Sequence, residues 1–466
     1  MKVTLIGRTI QTSTQNATAS DLNYLVTNPD FIKKHSKIYA GKAAGICYMP
    51  DDYLSNGIQN EDKCLKRAEM NAISGHYSVY EHVWLNFIIK CPKIVAIVLN
   101  SLGFYATSEK SARYTKMSEL SDIEKEKYDK WMNIFIRLIS EKEVSKENKH
   151  TDKEIEKLAM ENARYMTSVF TETTMEYSMP YNRVQLLIRW IDEFTTNVIN
   201  LQFIVNNKDY NTNDILGDNI DFYSKLSTEL IKLSECLLDA TGLSKTELLT
   251  DHKKMSIDLF DPIERYRLYK TYISNTDKDD EYMDWVLNSI PFYIDNVGSL
   301  DYTSGMYSTL YNLSFAGLAQ AQRHRTLSYN ILEILHITYT PYILQNNYII
   351  QNSNYVAEWN SDFKELFDKG LYPQGTLLGI NEKGTFKNFA LKCKERMCSR
   401  AQYEIYDRTR CTLDSFTRIK DELTIEDRIL LKSMTDDNDI PLYRCNFTGY
   451  TCKEPCKFAN DIYRII

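Results

Sequence analysis

The 466-residue sequence has no long hydrophobic run, no excess of positive charge and only seven histidines. Its longest apolar stretch, IVAIVLNSLGF, is far shorter than the ~20 residues that a helix needs to cross a bilayer. The formal net charge of −7 provides no general positive field for nucleic acid, so any phosphate binding must be local. The opening residues, MKVTLIGRTIQTSTQ, turn polar too early for a secretory signal peptide. We therefore expect a soluble, cytoplasmic protein that binds neither membranes nor nucleic acid.

The composition is that of an ordinary globular protein, with 43% hydrophobic and 26% charged residues. This is ample material for a hydrophobic core. The length favours two or more domains, because single cores stop growing near roughly 250–300 residues.

Ten cysteines are present, and seven of them are scattered, as expected for reduced thiols in a cytosol. The other three, Cys445, Cys452 and Cys456, lie close together near the C-terminus. With Cys411 or Cys398 as a fourth ligand, they could form a tetrahedral zinc site. Their spacing differs from the usual Cys-x2-Cys, so three free thiols are the alternative.

The stretch AQAQRHRTLSYN contains a cluster of two arginines and a histidine. Arg323, His324 and Arg325 come directly after NLSFAGLAQAQ, which predicts a largely buried helix. Guanidinium groups form paired hydrogen bonds with phosphate oxygens. The cluster therefore indicates a local site for an anion or for a phosphate-bearing cofactor.

Strand and helix patterns occur in a similar order in both halves of the chain. In the first half VWLNFIIK alternates as a strand, a helix begins at Pro92, and NRVQLLIRWIDEFTTNVINLQFIV predicts a long amphipathic helix. Residues 206–262 are polar and are interpreted as a helical connector. In the second half a strand-like MYSTLYNLSF, a helix and the RHR cluster follow, and FKNFALKCKERMCSRAQYEIYDRTRC has helical periodicity. An internal repeat is therefore predicted, with Ser101-Leu102-Gly103 aligned opposite Arg323-His324-Arg325.

Five segments carry a more specific signal: RHRTLSYN, GHYSVYEH, SEKSARYTKM, ENARY at residues 161–165, and ERMCSRAQYEI. In this order they resemble the RHR, H-x-[ST]-x-x-E-H, E-x-S-[GA]-R-Y, A-R and L-R-x-x-x-x-A-Q-x-E-I motifs of the flavin-dependent thymidylate synthases, the ThyX type. Glu395 stands where the last motif has leucine. The RHR and S-A-R-Y motifs are specific, and the other three support them. The resemblance covers residues 40–192 and 298–415.

Each half lacks motifs that the other half retains. The first half has Ser101-Leu102-Gly103 instead of RHR, and the second half has ILEILHI where S-[GA]-R-Y would lie. Active sites of the family lie between subunits, so two fused copies can divide one composite site between them. The resemblance implies an α+β fold of two ThyX-like repeats, each a twisted, mainly antiparallel sheet packed with long helices, arranged as a pseudo-dimer. The domains would be a first repeat at 1–205, a helical connector at 206–262 and a second repeat at 263–466, and a homodimer of the chain would be a pseudo-tetramer.

The resemblance also implies reductive methylation of dUMP at C5, with methylenetetrahydrofolate as the one-carbon donor and NADPH as the reductant of a bound FAD. In such an enzyme the protein mainly binds and orients the reactants. The residues expected to bind dUMP are Gln320, Arg323, Glu109, Ser111, Ala112, Arg113, Arg164 and Arg396. The residues expected to bind FAD are His76, Ser78, Glu81, Arg323, His324, Arg325 and Asn330. Among these residues, Arg396 and Ser111 are expected to have catalytic roles.

The sequence alone leaves two alternative functions open. The motifs do not fix the last reduction, so the product could carry another 5-substituent, such as hydroxymethyl. The chain could also be an inactive nucleotide-binding protein, although that alternative predicts the loss of the same motifs from both halves. Two assignments have structural alternatives as well: His82 could be purely structural, and Asn330 could be a helix cap.

Overall fold

The computed structural model describes residues 1–9, 28–46, 60–112, 115, 119–143, 150–206, 217–248, 299–345 and 354–453. The chain forms two compact units. The first comprises Met1–Lys110 and Glu172–Ile257, and the second comprises Ser111–Thr171 and Asp258–Ile466. No helix within the described ranges combines the length and the apolar character that crossing a membrane requires.

The described elements are eight strands and thirteen α-helices. The strands are β1 (Lys2–Arg8), β2 (Trp84–Pro92), β3 (Ala106–Glu109), β4 (Glu172–Pro180), β5 (Ser299–Thr303), β6 (Met306–Ser314), β7 (Ser328–Thr338) and β8 (Thr376–Thr385). The helices are α1 (Pro29–Gly45), α2 (Glu61–Ile73), α3 (Lys93–Leu99), α4 (Asp122–Glu143), α5 (Asp152–Ala163), α6 (Tyr181–Asn206), α7 (Gly217–Thr241), α8 (Phe315–Ala321), α9 (Tyr342–Gln345), α10 (Tyr355–Asp368), α11 (Phe386–Arg396), α12 (Tyr403–Arg418) and α13 (Ile425–Met434).

The first unit contains an antiparallel sheet with the strand order β1-β2-β4-β3. In β2 the residues Leu85, Phe87 and Ile89 are fully buried and alternate with half-buried ones, which is the period of two that VWLNFIIK predicts. Pro92 is the N-cap residue of α3, and all residues from Ile94 to the end of that helix are buried. The predicted strand and the predicted helix start are both confirmed.

Helices α6 and α7 pack against each other in the first unit. Helix α6 is the long helix that the sequence predicts. Helix α7 also contacts α1 and β1, and it buries Leu226, Leu230, Leu233 and Leu237 along one face. Part of the segment interpreted as a connector therefore contributes to the core of this unit.

The sheet of the second unit has the strand order β5-β6-β8-β7. When the strands of each sheet are numbered along the chain, both sheets have the same order, 1-2-4-3. In each sheet a short buried helix follows the second strand, α3 after β2 and α8 after β6. Ser101 follows Asn100, the C-cap residue of α3, and Arg323 follows Gln322, the C-cap residue of α8. The segments aligned in the predicted repeat thus lie at equivalent places in their own sheets. Two antiparallel sheets packed with helices agree with the predicted α+β class.

Helices α4 and α5 come from the first half of the sequence but belong to the second unit. The rings of Trp131 on α4 and Trp359 on α10 are fully buried and lie edge to face, with their centroids 4.8 Å apart. Asp362 on α10 accepts hydrogen bonds from the indole of Trp131 at 2.9 Å and from the ammonium of Lys130 at 2.6 Å. The compact units are therefore divided differently from the predicted domains, whose boundaries stay a prediction.

The segment with helical periodicity after Phe386 forms two helices, α11 and α12. Helix α11 ends at Arg396, because Met397 leaves the helical conformation with ψ of 48°. At the start of α11 the Oγ1 of Thr385 accepts a hydrogen bond from the backbone N–H of Asn388 at 3.1 Å. This cap helps to stabilise the helix that carries Arg396, a predicted site residue.

Replacing Thr385 with alanine is expected to reduce the free energy of unfolding by about 1 kcal/mol, because an N–H group in the first turn of α11 loses its acceptor. Thr385→Ser keeps the hydroxyl and is expected to retain most of the stability. Chemical denaturation followed by circular dichroism measures both variants. Equal losses would show that the hydroxyl does not cap the helix.

Candidate functional site

Helix α8 carries the Arg323–Arg325 turn at its C-terminal end and is fixed by close packing. Its N-cap residue, Ser314, accepts a hydrogen bond from the backbone N–H of Gly317 at 3.0 Å. A Cβ atom on Gly317 would lie 2.6 Å from the side chain of Leu313, so glycine allows this close approach. Every residue of the helix except Gln320 is buried. The turn therefore follows a buried helix, as the sequence predicts.

The turn places its arginines and its histidine in different environments. Arg323 and Arg325 are exposed, whereas His324 is only 7% exposed. The backbone N–H of His324 donates to the carbonyl oxygen of Ala321 at 3.0 Å, and its own carbonyl oxygen accepts from Leu327 at 3.1 Å. The backbone thus holds the imidazole inside, while Arg323 and Arg325 lie at the surface.

Arg396 connects this histidine to α8. Its Nε donates a hydrogen bond to Nε2 of His324 at 2.9 Å, and its Nη2 donates to the carbonyl oxygen of Gln320 at 3.0 Å. An imidazole nitrogen that accepts a hydrogen bond carries no proton, so His324 is neutral with its proton on Nδ1. Burial, together with the positive charges of Arg396 and Lys392, lowers the pKa of His324 to about 3. Glu395, whose carboxylate lies 3.6 Å from Nε2, therefore forms no ion pair with this ring at neutral pH.

A network of buried polar side chains lies at the other end of α8. Glu404 on α12 accepts hydrogen bonds from the backbone N–H of Ser314 at 2.6 Å, from its hydroxyl at 2.7 Å, and from the phenol of Tyr165 at 2.9 Å. Burial raises the pKa of Glu404. Burial and the charge of Glu404 raise the pKa of Tyr165 well above its usual range, so Tyr165 stays a neutral donor.

Arg164 joins this network through Gln402. The side chain of Arg164 is buried, its Nη2 donates to Oε1 of Gln402, and its Nε donates to the carbonyl oxygen of Glu161 at 3.2 Å. The Nε2 of Gln402 donates to the phenol oxygen of Tyr165, and to Oε2 of Glu404 at 3.2 Å. The motifs ENARY and AQYEI, whose Arg164 and Gln402 are 238 positions apart, therefore form one network.

Gln402 and Glu404 have no role in the site predicted from the sequence, although both lie in AQYEI. A sequence signal could have identified them: in AQYEI the polar Gln402 and Glu404 lie between the apolar Ala401 and Ile405, at the start of a predicted helix. In the structure Ala401 and Ile405 are buried. Both polar side chains are buried too, so they had to find partners within the fold.

In the first unit, predicted flavin contacts lie around a 3₁₀ helix, Tyr77–His82. His76 and Ser78 are exposed, and Glu81 is half-buried. A carboxylate oxygen of Glu81 accepts a hydrogen bond from the side-chain amide of Asn182 at 3.4 Å.

Glu109, a predicted dUMP contact, lies at the end of β3 in the same unit. Its carboxylate is paired with the ammonium of Lys93, and its side chain is only 2% exposed. The hydroxyl of Thr173 donates to the same carboxylate at 3.5 Å. The carboxylate of Glu109 is therefore held within the first unit by Lys93 and Thr173, and its role as a dUMP contact stays a prediction.

Two further predicted dUMP contacts, Ser111 and Ala112, begin the second unit. The carbonyl oxygen of Ser111 accepts hydrogen bonds from the backbone N–H of Thr115 at 3.0 Å and from its hydroxyl at 2.7 Å. Ala112 is buried. Arg113 lies outside the described residues.

Asn330 lies within β7, where it pairs in register with Asn381 of β8. The alternative that Asn330 caps a helix is therefore wrong. Its side-chain oxygen Oδ1 is buried and has no hydrogen-bond partner among the residues that the structure describes. Leaving a buried acceptor unpaired costs free energy, so this oxygen is suited to a donor from a bound molecule.

The predicted zinc ligands are only partly described. Cys411 on α12, Cys445 and Cys452 are each half-buried, and burial raises the pKa of the Cys411 thiol. Cys456 lies outside the described residues. Among the residues that are described, no three His, Cys, Asp or Glu side chains are grouped so that they could hold a metal ion.

Comparison with known proteins gives one family match and several similar structures. Residues 33–189 match the family model of the thymidylate synthase complementing proteins. None of the curated proteins matches the chain. A UMP/dUMP methylase, PolB from Streptomyces cacaoi bound with 5-Br dUMP, is 13% identical over 40% of this chain and 76% of its own, with a TM-score of 0.27.

Two solved structures of ThyX from Helicobacter pylori, both with FAD and dUMP, are each 18% identical to the chain. The first covers 55% of this chain and 100% of its own, with a TM-score of 0.27. The second covers 53% and 96%, with a TM-score of 0.25.

Proposed function

Residues 33–189 belong to the thymidylate synthase complementing protein family, and from this premise we propose that the chain is a flavin-dependent enzyme that modifies dUMP. The matched range contains GHYSVYEH, SEKSARYTKM and ENARY, and the match confirms the resemblance that these three motifs indicate. The proposed reaction is reductive methylation at C5 of dUMP, with methylenetetrahydrofolate and NADPH as co-substrates.

The observation that carries this proposal is the placement of arginines from separate motifs around α8. Arg396 is bound to Gln320 near the C-terminal end of the helix, and Arg323 follows that end. Arg164 belongs to the network that reaches Ser314 at the N-terminal end. Guanidinium groups bind phosphate oxygens in pairs, so a protein of net charge −7 can bind a nucleotide through this local positive charge. We propose that Gln320, Arg323 and Arg396 hold dUMP from one side and Arg164 from the other.

The residues around the turn also fit FAD. The buried Oδ1 of Asn330, which has no hydrogen-bond partner within the described ranges, is suited to accept from an N–H group of the flavin ring. The exposed Arg325 is suited to a phosphate. His324, kept neutral by Arg396, offers its Nδ1–H as a donor. When bound, FAD supplies the hydride-transfer chemistry, while the residues of the chain bind, orient and exclude water. His76, Ser78 and Glu81 are further proposed FAD contacts.

We also propose that the chain is a tandem repeat whose halves share one nucleotide site. The equal strand order of the two sheets and the equivalent positions of α3 and α8 support a duplication. The hydrogen bonds from Arg164 to Gln402 and from Tyr165 to Glu404 support a shared site, because each joins a first-half motif to a second-half motif.

The test of the proposed function begins with the purified protein, which is expected to show flavin absorbance and to convert dUMP with methylenetetrahydrofolate and NADPH. Mass spectrometry of the product distinguishes a methyl group from a hydroxymethyl group at C5. Colourless protein that does not take up added FAD would contradict the proposal. Flavin-loaded protein that binds dUMP without turnover would instead favour the inactive binding protein.

A further inference from the structure

A fully buried ion pair in the second unit has no part in the proposed chemistry. The Nζ of Lys392 on α11 lies 2.6 Å from Oε2 of Glu382 on β8, and neither side chain is exposed. Taking two charges out of water is costly, and a well-packed apolar pair of similar volume is often at least as stable. The pair is therefore poorly explained by stability alone.

Three tyrosines surround this ion pair. The hydroxyls of Tyr307 and Tyr311 on β6 donate to Glu382 at 2.7 and 2.5 Å. The ring of Tyr329 on β7 has its centroid 5.9 Å from Nζ of Lys392. Burial and the charge of Glu382 raise the pKa of all three phenols well above their usual range, so each stays neutral. One buried cluster thus brings together α11 and three strands of the sheet.

This cluster contacts both elements that position the candidate site. Lys392 lies one helical turn before Arg396 on α11, so holding its ammonium fixes the last turn of that helix. Tyr329 lies near the start of β7, the strand that directly follows the turn containing His324. The charge of Lys392 also acts on the imidazole of His324, in the same direction as that of Arg396.

We propose that Lys392 and Glu382 are a positioning pair for the nucleotide site. The pair holds Arg396 and His324 so that Nε of the arginine donates a hydrogen bond to Nε2 of the imidazole. A binding group that is held in its bound geometry loses less freedom when the ligand arrives, so such a pair raises affinity without touching the nucleotide. The nucleotide part of this inference rests on the proposed function, whereas the arrangement of Arg396 and His324 does not.

The test removes both charges together in the double variant Lys392→Met, Glu382→Gln. No buried charge is then left without its partner, so the fold is expected to persist. Binding of dUMP, measured by calorimetry at fixed salt, is expected to weaken roughly tenfold. Nitrogen NMR of the His324 ring is expected to change from a single tautomer, protonated on Nδ1, to a mixture of tautomers.

A matched control is the double variant Lys127→Met, Asp362→Asn, which removes another largely buried ion pair of the same unit, 3.1 Å long. It is expected to leave the dUMP affinity and the His324 spectrum unchanged. A wild-type His324 spectrum in the Lys392, Glu382 double variant would overturn the positioning pair. If the wild type itself bound no dUMP, the proposed function would fail, and the NMR measurement would still decide about the pair.

Tyr311→Phe provides a second variant in case the charge-free pair does not fold. It keeps both charges and removes the hydroxyl that donates to Oε2 of Glu382, the oxygen that Lys392 contacts. The His324 spectrum is expected to change in the same direction but less. A spectrum identical to that of the wild type would overturn the proposal.

Discussion

An Arg323→Ala variant is expected to bind dUMP about tenfold to a hundredfold more weakly than the wild type, since one charge-assisted hydrogen bond contributes roughly 1.5–3 kcal/mol. Because Arg323 is exposed, the variant is expected to stay folded. Arg323→Lys is expected to weaken binding as well, since a point charge does not replace the planar fork. Calorimetric titration at fixed salt, with thermal unfolding measured beside it, checks all three statements.

The matched control for this prediction is Arg418→Ala. Arg418 is an exposed arginine of the same unit that pairs with Asp414 at 2.6 Å and has no part in the proposed site. It is expected to keep wild-type affinity. An equal loss in both variants would mean that general positive charge, and not the Arg323 fork, attracts the nucleotide.

Combining Arg323→Ala with Arg164→Ala tests whether both halves reach the same nucleotide. If they do, the two changes in binding free energy are expected to couple and not to add. The two arginines lie in different predicted repeats, so a local helix effect cannot produce this coupling. Because Arg164 is buried and bound to Gln402, the thermal stability of this variant must be measured too. A folded Arg164→Ala protein with wild-type affinity would contradict the shared site.

The parts of this structure that could be predicted are those set by neighbours along the chain. The alternating pattern of VWLNFIIK predicts β2, and the apolar run before Arg323 predicts α8, because both patterns are visible in neighbouring residues of the sequence. The motifs also predict Arg396 and His324 as site residues, and these roles stay a prediction. Their hydrogen bond to each other could not be predicted, because it depends on how α11 packs against the end of α8.

The parts that could not be predicted depend on pairing between distant residues. Lys392 and Glu382 lie in the strings KCKER and NEKG, which are typical of exposed charges. Their burial depends on the ion pair between them and on hydrogen bonds that tyrosines of β6 donate to Glu382. The sequence likewise places Trp131 and Trp359 on helices without showing that they pack together. The helices that carry them therefore fall in one compact unit although they come from different halves.

Below pH 6.5 the wild type is expected to lose stability that a His324→Gln variant keeps. The pKa of His324 is about 3 in the folded protein against an ordinary 6.5, so the unfolded chain takes up this proton first as the pH falls. The stability contributed by the neutral ring is fully present above pH 6.5 and is lost progressively as the pH falls to about 3. At pH 5 the loss from this one group is about 2 kcal/mol.

Glutamine is chosen because its side-chain oxygen can accept the hydrogen bond from Nε of Arg396 and does not titrate. Chemical denaturation at pH 7 and at pH 5 gives the change in unfolding free energy for each protein. The variant is expected to lose less than the wild type over this interval. His336→Gln, which replaces an exposed histidine of the same unit, is the matched control.

The comparison between the two proteins isolates the ring at position 324. Burial also lowers the pKa of His35, in the first unit, to about 4, so the wild type as a whole loses more stability than His324 alone explains. Both proteins contain His35, and its share cancels in their difference. Parallel losses of stability in the two proteins between pH 7 and pH 5 would show that His324 is not held neutral by its surroundings.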